Sequence, residues 1–177
     1  MTMKKFLVVI AAMPIALSSL TIPAHAGVVG EDSALCASGR GPAIQASIVG
    51  LKDRAGEVKL EIYPANEQDF LRDDYLLVQE HKIFRRVTAR TPQSGPVEIC
   101  IKVPAPGRYA LLFTHNRDGK SKFDFWTDGA GFPSNLRMGR AKPKLVQAII
   151  DVGPGITTTT IRAQYLRGFS GFGPLKE

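Results

Sequence analysis

The side chains best suited to chemistry or recognition gather between Pro106 and Asn135. An apolar strand, Tyr109 to Thr114, leads into a polar loop holding His115, Asn116, Asp118 and Asp124. Phe123, Phe125, Trp126, Phe132 and Asn135 follow. His115 with Asp118 or Asp124 has the residue types of a general base and its orienting carboxylate. The simpler reading makes His115 a turn anchor at a strand end. Hydrolysis needs a nucleophile or a metal beside such a base, and the chain has no G-x-S-x-G, H-E-x-x-H or C-x-x-C. It reads as non-catalytic, with no cofactor expected. Asn116 and Asp118 suit a turn in which their side chains bond backbone and Gly119 takes positive φ. The four aromatics form either a satellite core under the loop or a platform for a sugar, a peptide or a partner protein. Both readings stand at this point.

The elements that must position these residues are strands. Apolar residues recur with period two, the signature of half-buried β-structure. Ala43–Leu51 and Gly56–Tyr63 form a hairpin, with Val58, Leu60 and Ile62 inward and Lys59 and Glu61 outward. Residues 65–77 read as a loop with one helical turn over Glu67–Leu71. Lys82–Ala89 is a third strand, with Ile83 and Val87 on one side. Val97–Val103 is the clearest alternation, placing Cys100 on the face opposite its apolar set. Arg108–Thr114 is the fifth strand. Gly107 and Tyr109, directly after a Pro-Gly turn, resemble a tyrosine corner. Leu145–Val152, apolar on both faces, reads as a central sixth strand, and Thr-rich Ile156–Tyr165 as the seventh. Seven short strands with Pro/Gly turns predict an all-β fold: a single seven-stranded Greek-key β-sandwich, transthyretin- or immunoglobulin-like, with one long loop at 115–142. Residues 27–42 are an N-terminal arm, 43–165 the sandwich, and 166–177 a Gly-rich tail whose order rests on Phe169 and Phe172.

The ends and the composition bear on compartment. Residues 1–26 have the layout of a secretory signal peptide: Lys4 and Lys5, the apolar run Phe6–Leu20, and Ala24-His25-Ala26 before Gly27. The run is short for a spanning helix and contains Pro14, so the mature chain is not expected to span a membrane. Removing Lys4 and Lys5 leaves 21 basic against 16 acidic residues, +5. Small basic concentrations occur at Lys82/Arg85/Arg86/Arg90 and at Arg137/Arg140/Lys142/Lys144. They read as solvated surface or as attraction to lipopolysaccharide or anionic lipid. Nucleic acid is a poor fit for an exported chain without a binding module. An exported chain with two cysteines, Cys36 and Cys100, favours a disulfide between them.

The order P-G-x-Y-A, a strand ending in His, an Asp/Asn/Gly loop, then G-F and S-N resembles the DUF2141 family of small exported bacterial proteins. The likeness runs from about Ile44 to Tyr165 and is most specific over Gly107–Asn135. It implies a transthyretin- or immunoglobulin-like sandwich and a periplasmic location. The family has no known function; the role read for this chain is binding or structure in the cell envelope, its partner unknown, with an envelope glycan, an anionic surface or another envelope protein as the candidates. The family loop H-D-x-N-x-N-G-x-x-D looks like a Ca²⁺ loop, since alternating oxygens suit a hard cation. Here Asn116, Asp118 and Asp124 keep oxygens, but Lys120 stands where a third ligand belongs. No metal is therefore expected, and these three residues are weak candidates. A ligand- or Ca²⁺-binding module at 115–135 is the second reading. A transthyretin-like hydroxyisourate hydrolase is the third: that branch ends Tyr-Arg-Gly-Ser, against Tyr165-Leu166-Arg167-Gly168-Phe169-Ser170 here.

Overall fold

A computed structural model describes residues 27–176; the signal peptide read over 1–26 lies outside them. Ten strands and three short helices follow in the order α1 (Ser33–Ala37), β1 (Ala43–Val49), β2 (Glu57–Pro64), α2 (Asp74–Gln79), β3 (Arg85–Arg90), β4 (Val97–Lys102), β5 (Gly107–Asn116), β6 (Gly129–Gly131), α3 (Leu145–Ala148), β7 (Ile149–Val152), β8 (Ile156–Arg162), β9 (Gln164–Leu166) and β10 (Phe172–Pro174). Two sheets face each other, one ordered β4-β1-β8 and the other β10-β9-β6-β5-β2-β3, with β7 also on β5. The fold is an all-β sandwich. No helix among the described residues is long and apolar enough to cross a membrane.

The core follows from the period-two alternation. Ile44, Ala46 and Ile48 of β1 and Ile99 and Ile101 of β4 meet Val58, Leu60 and Ile62 of β2 and Tyr109, Leu111 and Phe113 of β5. The Tyr109 hydroxyl donates to the Ala105 carbonyl at 2.6 Å, tying the turn before β5 to the strand. The Cys36–Cys100 disulfide lies beside Ala43 in a small cluster of its own, away from this core. It fastens the N-terminal arm, and Val29 bridges Ile99 of β4. Closing a 64-residue separation stabilises the fold by about 4 kcal/mol on the chain-entropy argument.

β5 is the organising strand. Along one edge it pairs with β2 over its length, and along the other with β7 at residues 107–110 and β6 at 113–115. Its two faces differ. Tyr109, Leu111, Phe113 and His115 point into the sandwich, while Ala110, Leu112, Thr114 and Asn116 point to the outer side of the large sheet. The 65–84 connection folds over part of that outer side. Phe70 and Leu77 pack there with Tyr63, Ala110, Leu112, Phe132 and Ala148 in a second core. The remainder of the outer face has no such cover.

Several elements differ from the sequence reading. The described residues form ten strands rather than seven, and the expected hairpin of Ala43–Leu51 with Gly56–Tyr63 is not one: β1 pairs β4 and β8, whereas β2 pairs β3 and β5 in the other sheet, so the turn between them crosses from one sheet to the other. The loop at 115–142 contains β6, whose Gly-Ala-Gly has no strand propensity. Glycine is needed there because a Cβ at Gly129 would run into the Tyr165 ring, and one at Gly131 would lie 2.6 Å from Ile161. Leu145–Val152 is half helical turn and half strand, and β7 pairs only with β5, so it is not central. Ile83 precedes β3 and is exposed. The expected turn at 67–71 is present, with the Phe70 N–H on the Asn66 carbonyl, and is followed by α2, which was not expected. The tail is built into the large sheet: β10 pairs β9, Phe172 is buried, and Phe169 is exposed.

Candidate binding groove

His115 is the last inward-facing residue of β5 and is fully buried. Its Nε2–H donates to the Ala55 carbonyl at 2.8 Å, and its Nδ1 accepts from the Tyr165 hydroxyl at 2.7 Å. The Tyr165 oxygen in turn accepts the Lys52 N–H at 3.0 Å. This directional chain requires a neutral imidazole. Burial holds the His115 pKa below its ordinary value, and burial raises Tyr165 to about 12. Every polar atom of the pair has a partner, and the pair fastens the 50–56 turn to β5 and β9. Asp118 and Asp124 are not among the partners of His115, so no base–carboxylate pair is assembled there. Tyr165 faces inward, Arg167 donates to the Pro174 carbonyl, and Ser170 ends a short 3-10 turn over Gly168–Ser170, so the tail's Tyr, Arg and Ser serve separate structural contacts.

The loop after His115 is held by its own polar groups. Asn116 donates to the Lys120 carbonyl and accepts the Gly119 N–H. Gly119 takes φ 71°, where a Cβ would be strained. Asp128, which the sequence reading did not single out, is almost fully buried and accepts the N–H groups of Arg117 at 2.8 Å and Asp124 at 2.9 Å. Its one available signal was position, four residues after Asp124 across a turn. Arg117 pairs with Asp53, and this guanidinium holds the Asp53 carboxyl below its usual range. Lys120 Nζ lies 2.7 Å from Asp118 and 3.2 Å from Asp124. The ammonium thus occupies the place a cation would take between these carboxylates. Asp118 is held low chiefly by Lys120, and Asp124 chiefly by the Trp126 N–H and then by Lys120. No group of three or more potential metal-ligating His, Cys, Asp or Glu residues occurs among the described residues.

The turn at 124–128 throws its aromatics outward. The Trp126 N–H bonds Asp124 Oδ1, and the Asp128 N–H bonds the Asp124 carbonyl. Trp126 is 83% exposed and Phe125 65% exposed. Phe123 and Phe125 meet edge-on at 5.3 Å, and both lie near 6 Å from Phe172 of β10. Phe132 has the opposite fate, since it is buried in the second core. Asn135 lies apart as an anchor, donating to the Thr160 carbonyl and accepting the Arg162 N–H.

These walls enclose a groove of about 830 Å³ over the uncovered outer face of the large sheet. Its floor is Lys59, Glu61, Leu112, Thr114, Asn116 and Ala130. One wall is the 120–128 loop with Phe123, Phe125 and Trp126; the other is formed by 138–143 and the 166–172 turn with Phe169 and Phe172. The volume lies within the range of small-molecule sites, which are mostly apolar with a few placed polar groups. Of the 115–135 residues singled out in the sequence, Asn116, Phe123, Phe125, Trp126 and Phe132 line the groove. His115, Asp118, Asp124 and Asn135 do not. Lys59 and Arg140 were legible only as an outward strand position and as part of a basic cluster.

A family model described as "Uncharacterized protein conserved in bacteria (DUF2141)" matches residues 46–160, well over half of the chain, and the chain belongs to that family. No curated protein and no solved structure matches it.

Proposed function

We propose that the chain is an exported, non-catalytic binding protein of the bacterial cell envelope, and that it holds a small ligand with an apolar body in the groove on the outer face of its large sheet. The observation that carries this reading is the exposure of Phe125, Trp126 and Phe169 around a concave, largely apolar cleft. Aromatics so placed cost apolar hydration in the free protein and contribute contact area when a ligand covers them. Export is supported by the leader-like 1–26 and by a disulfide, which persists in oxidising compartments. A periplasmic location rests on the family resemblance. The Ca²⁺ module is not carried forward, because the Lys120 ammonium already lies between Asp118 and Asp124.

Trp126 is the single tryptophan, so its emission reports on the rim directly. Anilinonaphthalene sulfonate should gain fluorescence on the disulfide-bonded protein and shift Trp126 emission. Phe125→Ala and Trp126→Ala should each weaken that binding by about threefold to tenfold. Binding that is indifferent to both substitutions, or no binding, would remove the groove reading. The mass of the exported chain tests the leader, with cleavage expected before Gly27.

A further inference from the structure

The charges in the groove specify the ligand's head group; this step rests on the binding reading above. Five cationic side chains line the cleft: Lys59, Arg86, Lys120, Lys122 and Arg140. Two are neutralised within the protein. Arg86 pairs with Glu61 and Asp74, and Lys120 with Asp118 and Asp124. The acidic groups of the lining are equally committed. Glu61 accepts from Arg86 and from the Tyr63 hydroxyl, and Asp128 accepts two backbone N–H groups. The side chains of Lys59, Lys122 and Arg140 therefore remain without a hydrogen bond or ion pair among the described residues.

Lys59 is the informative one. It sits in the middle of β2, opposite Thr88 of β3 on one side and Thr114 of β5 on the other. It is half-buried on the groove floor rather than free on a solvated edge. No carboxylate of the groove lining is left to pair with its ammonium, so an anion entering the groove is the partner that would meet it. The remaining polar groups of the floor are few. Asn116 is turned to the Lys120 carbonyl and the Gly119 N–H, which leaves one amide N–H and the Thr114 hydroxyl. A sugar would bring many hydroxyls to a floor with almost no free partners, and unmatched polar groups cost binding energy. An apolar chain ending in one acidic group satisfies the aromatic rim, the apolar floor and the unpaired ammonium together.

We propose that the groove binds a free single-chain amphiphile with an acidic head, its head group on Lys59 and its apolar body between the Phe123/Phe125/Trp126 wall and Phe169/Phe172. Lys122 and Arg140, on the opposing walls, add attraction at the mouth that salt screens.

The test is a matched series on the disulfide-bonded protein, read by Trp126 emission below each probe's micelle concentration: dodecanoate, dodecanol and dodecyltrimethylammonium. Dodecanoate is expected to bind at least about tenfold more tightly than dodecanol, the cation more weakly still, and Lys59→Met to abolish the preference for dodecanoate. Dodecanol equal to dodecanoate in the wild-type protein overturns the head-group assignment and leaves the apolar groove standing. No binding by any of the three removes both. Preference for anionic phospholipid vesicles with no binding of monomeric dodecanoate assigns the cations to a membrane surface and overturns the proposal. The wild-type series needs no substitution, so it holds even if Lys59→Met fails to fold.

Discussion

The two faces of β5 carry adjacent residues to opposite ends. His115 turns inward, where both ring nitrogens are bonded within the protein, one to the Tyr165 hydroxyl and one to the Ala55 carbonyl. Thr114 and Asn116 turn outward, onto the floor of a cleft with exposed aromatics and unpaired ammonium groups. On the inner face every polar group is answered by the protein. On the outer face the protein leaves charge and apolar area unanswered. The residue with the strongest catalytic appearance in the sequence is thus structural, and the less conspicuous Lys59 lies where recognition is possible.

The largest separation between the faces is expected in stability. His115→Leu leaves the Tyr165 hydroxyl proton without its acceptor in the interior, while the Ala55 carbonyl keeps the Thr91 hydroxyl, and should cost about 1–3 kcal/mol in urea unfolding. Trp126→Ala, on the rim, should change stability by less than about 0.5 kcal/mol while weakening probe binding. Equal costs for the two would erase the comparison.

A second difference is pH. Burial depresses the His115 pKa below 6.5, so the unfolded chain binds more protons just below that pH. The contribution of neutral His115 is complete above about pH 6.5 and falls as pH drops toward the lower folded value. Asp53, held low by Arg117, loses its contribution only at more acid pH, below about 4. Unfolding free energy should therefore decline in two windows, and His115→Gln should remove the upper one alone. A wild-type protein with flat stability from pH 7 to 5 would contradict a buried neutral histidine.

The smallest expected effect is a null. Calorimetry with millimolar Ca²⁺ should give no binding heat, because Lys120 already lies between Asp118 and Asp124. A saturable heat would mean that the ion displaces the ammonium, and the loop would join the open side of the comparison.

Much of the sandwich was legible because one-sided burial imposes period two. Val58, Leu60 and Ile62 of β2 and the alternation of β4 read directly as core. The parity of β5 also contained the fate of His115: once Tyr109 anchors a corner and faces inward, Leu111, Phe113 and His115 follow it. That signal is masked by Ala110 and Leu112, buried on the second face. β6 was illegible because its small residues are dictated by a distant ring, Tyr165. The groove was illegible for a related reason. Its walls come from 120–128, 138–143 and 166–172, which meet only after the tail enters the sheet. Lys59 looked like any outward strand position until those walls rose around it.

The central claim is that ligand recognition belongs to the outer face alone. The most direct measurement is a titration of isotope-labelled protein with dodecanoate, followed through its amide and Trp126 indole NMR signals. Shifts confined to Lys59, Thr114, residues 120–128 and Phe172, with Leu111, Phe113 and His115 of the inner face unmoved, are the expected result. Shifts centred on His115, Tyr165 and the 50–56 turn, or no shifts at all, would contradict the account.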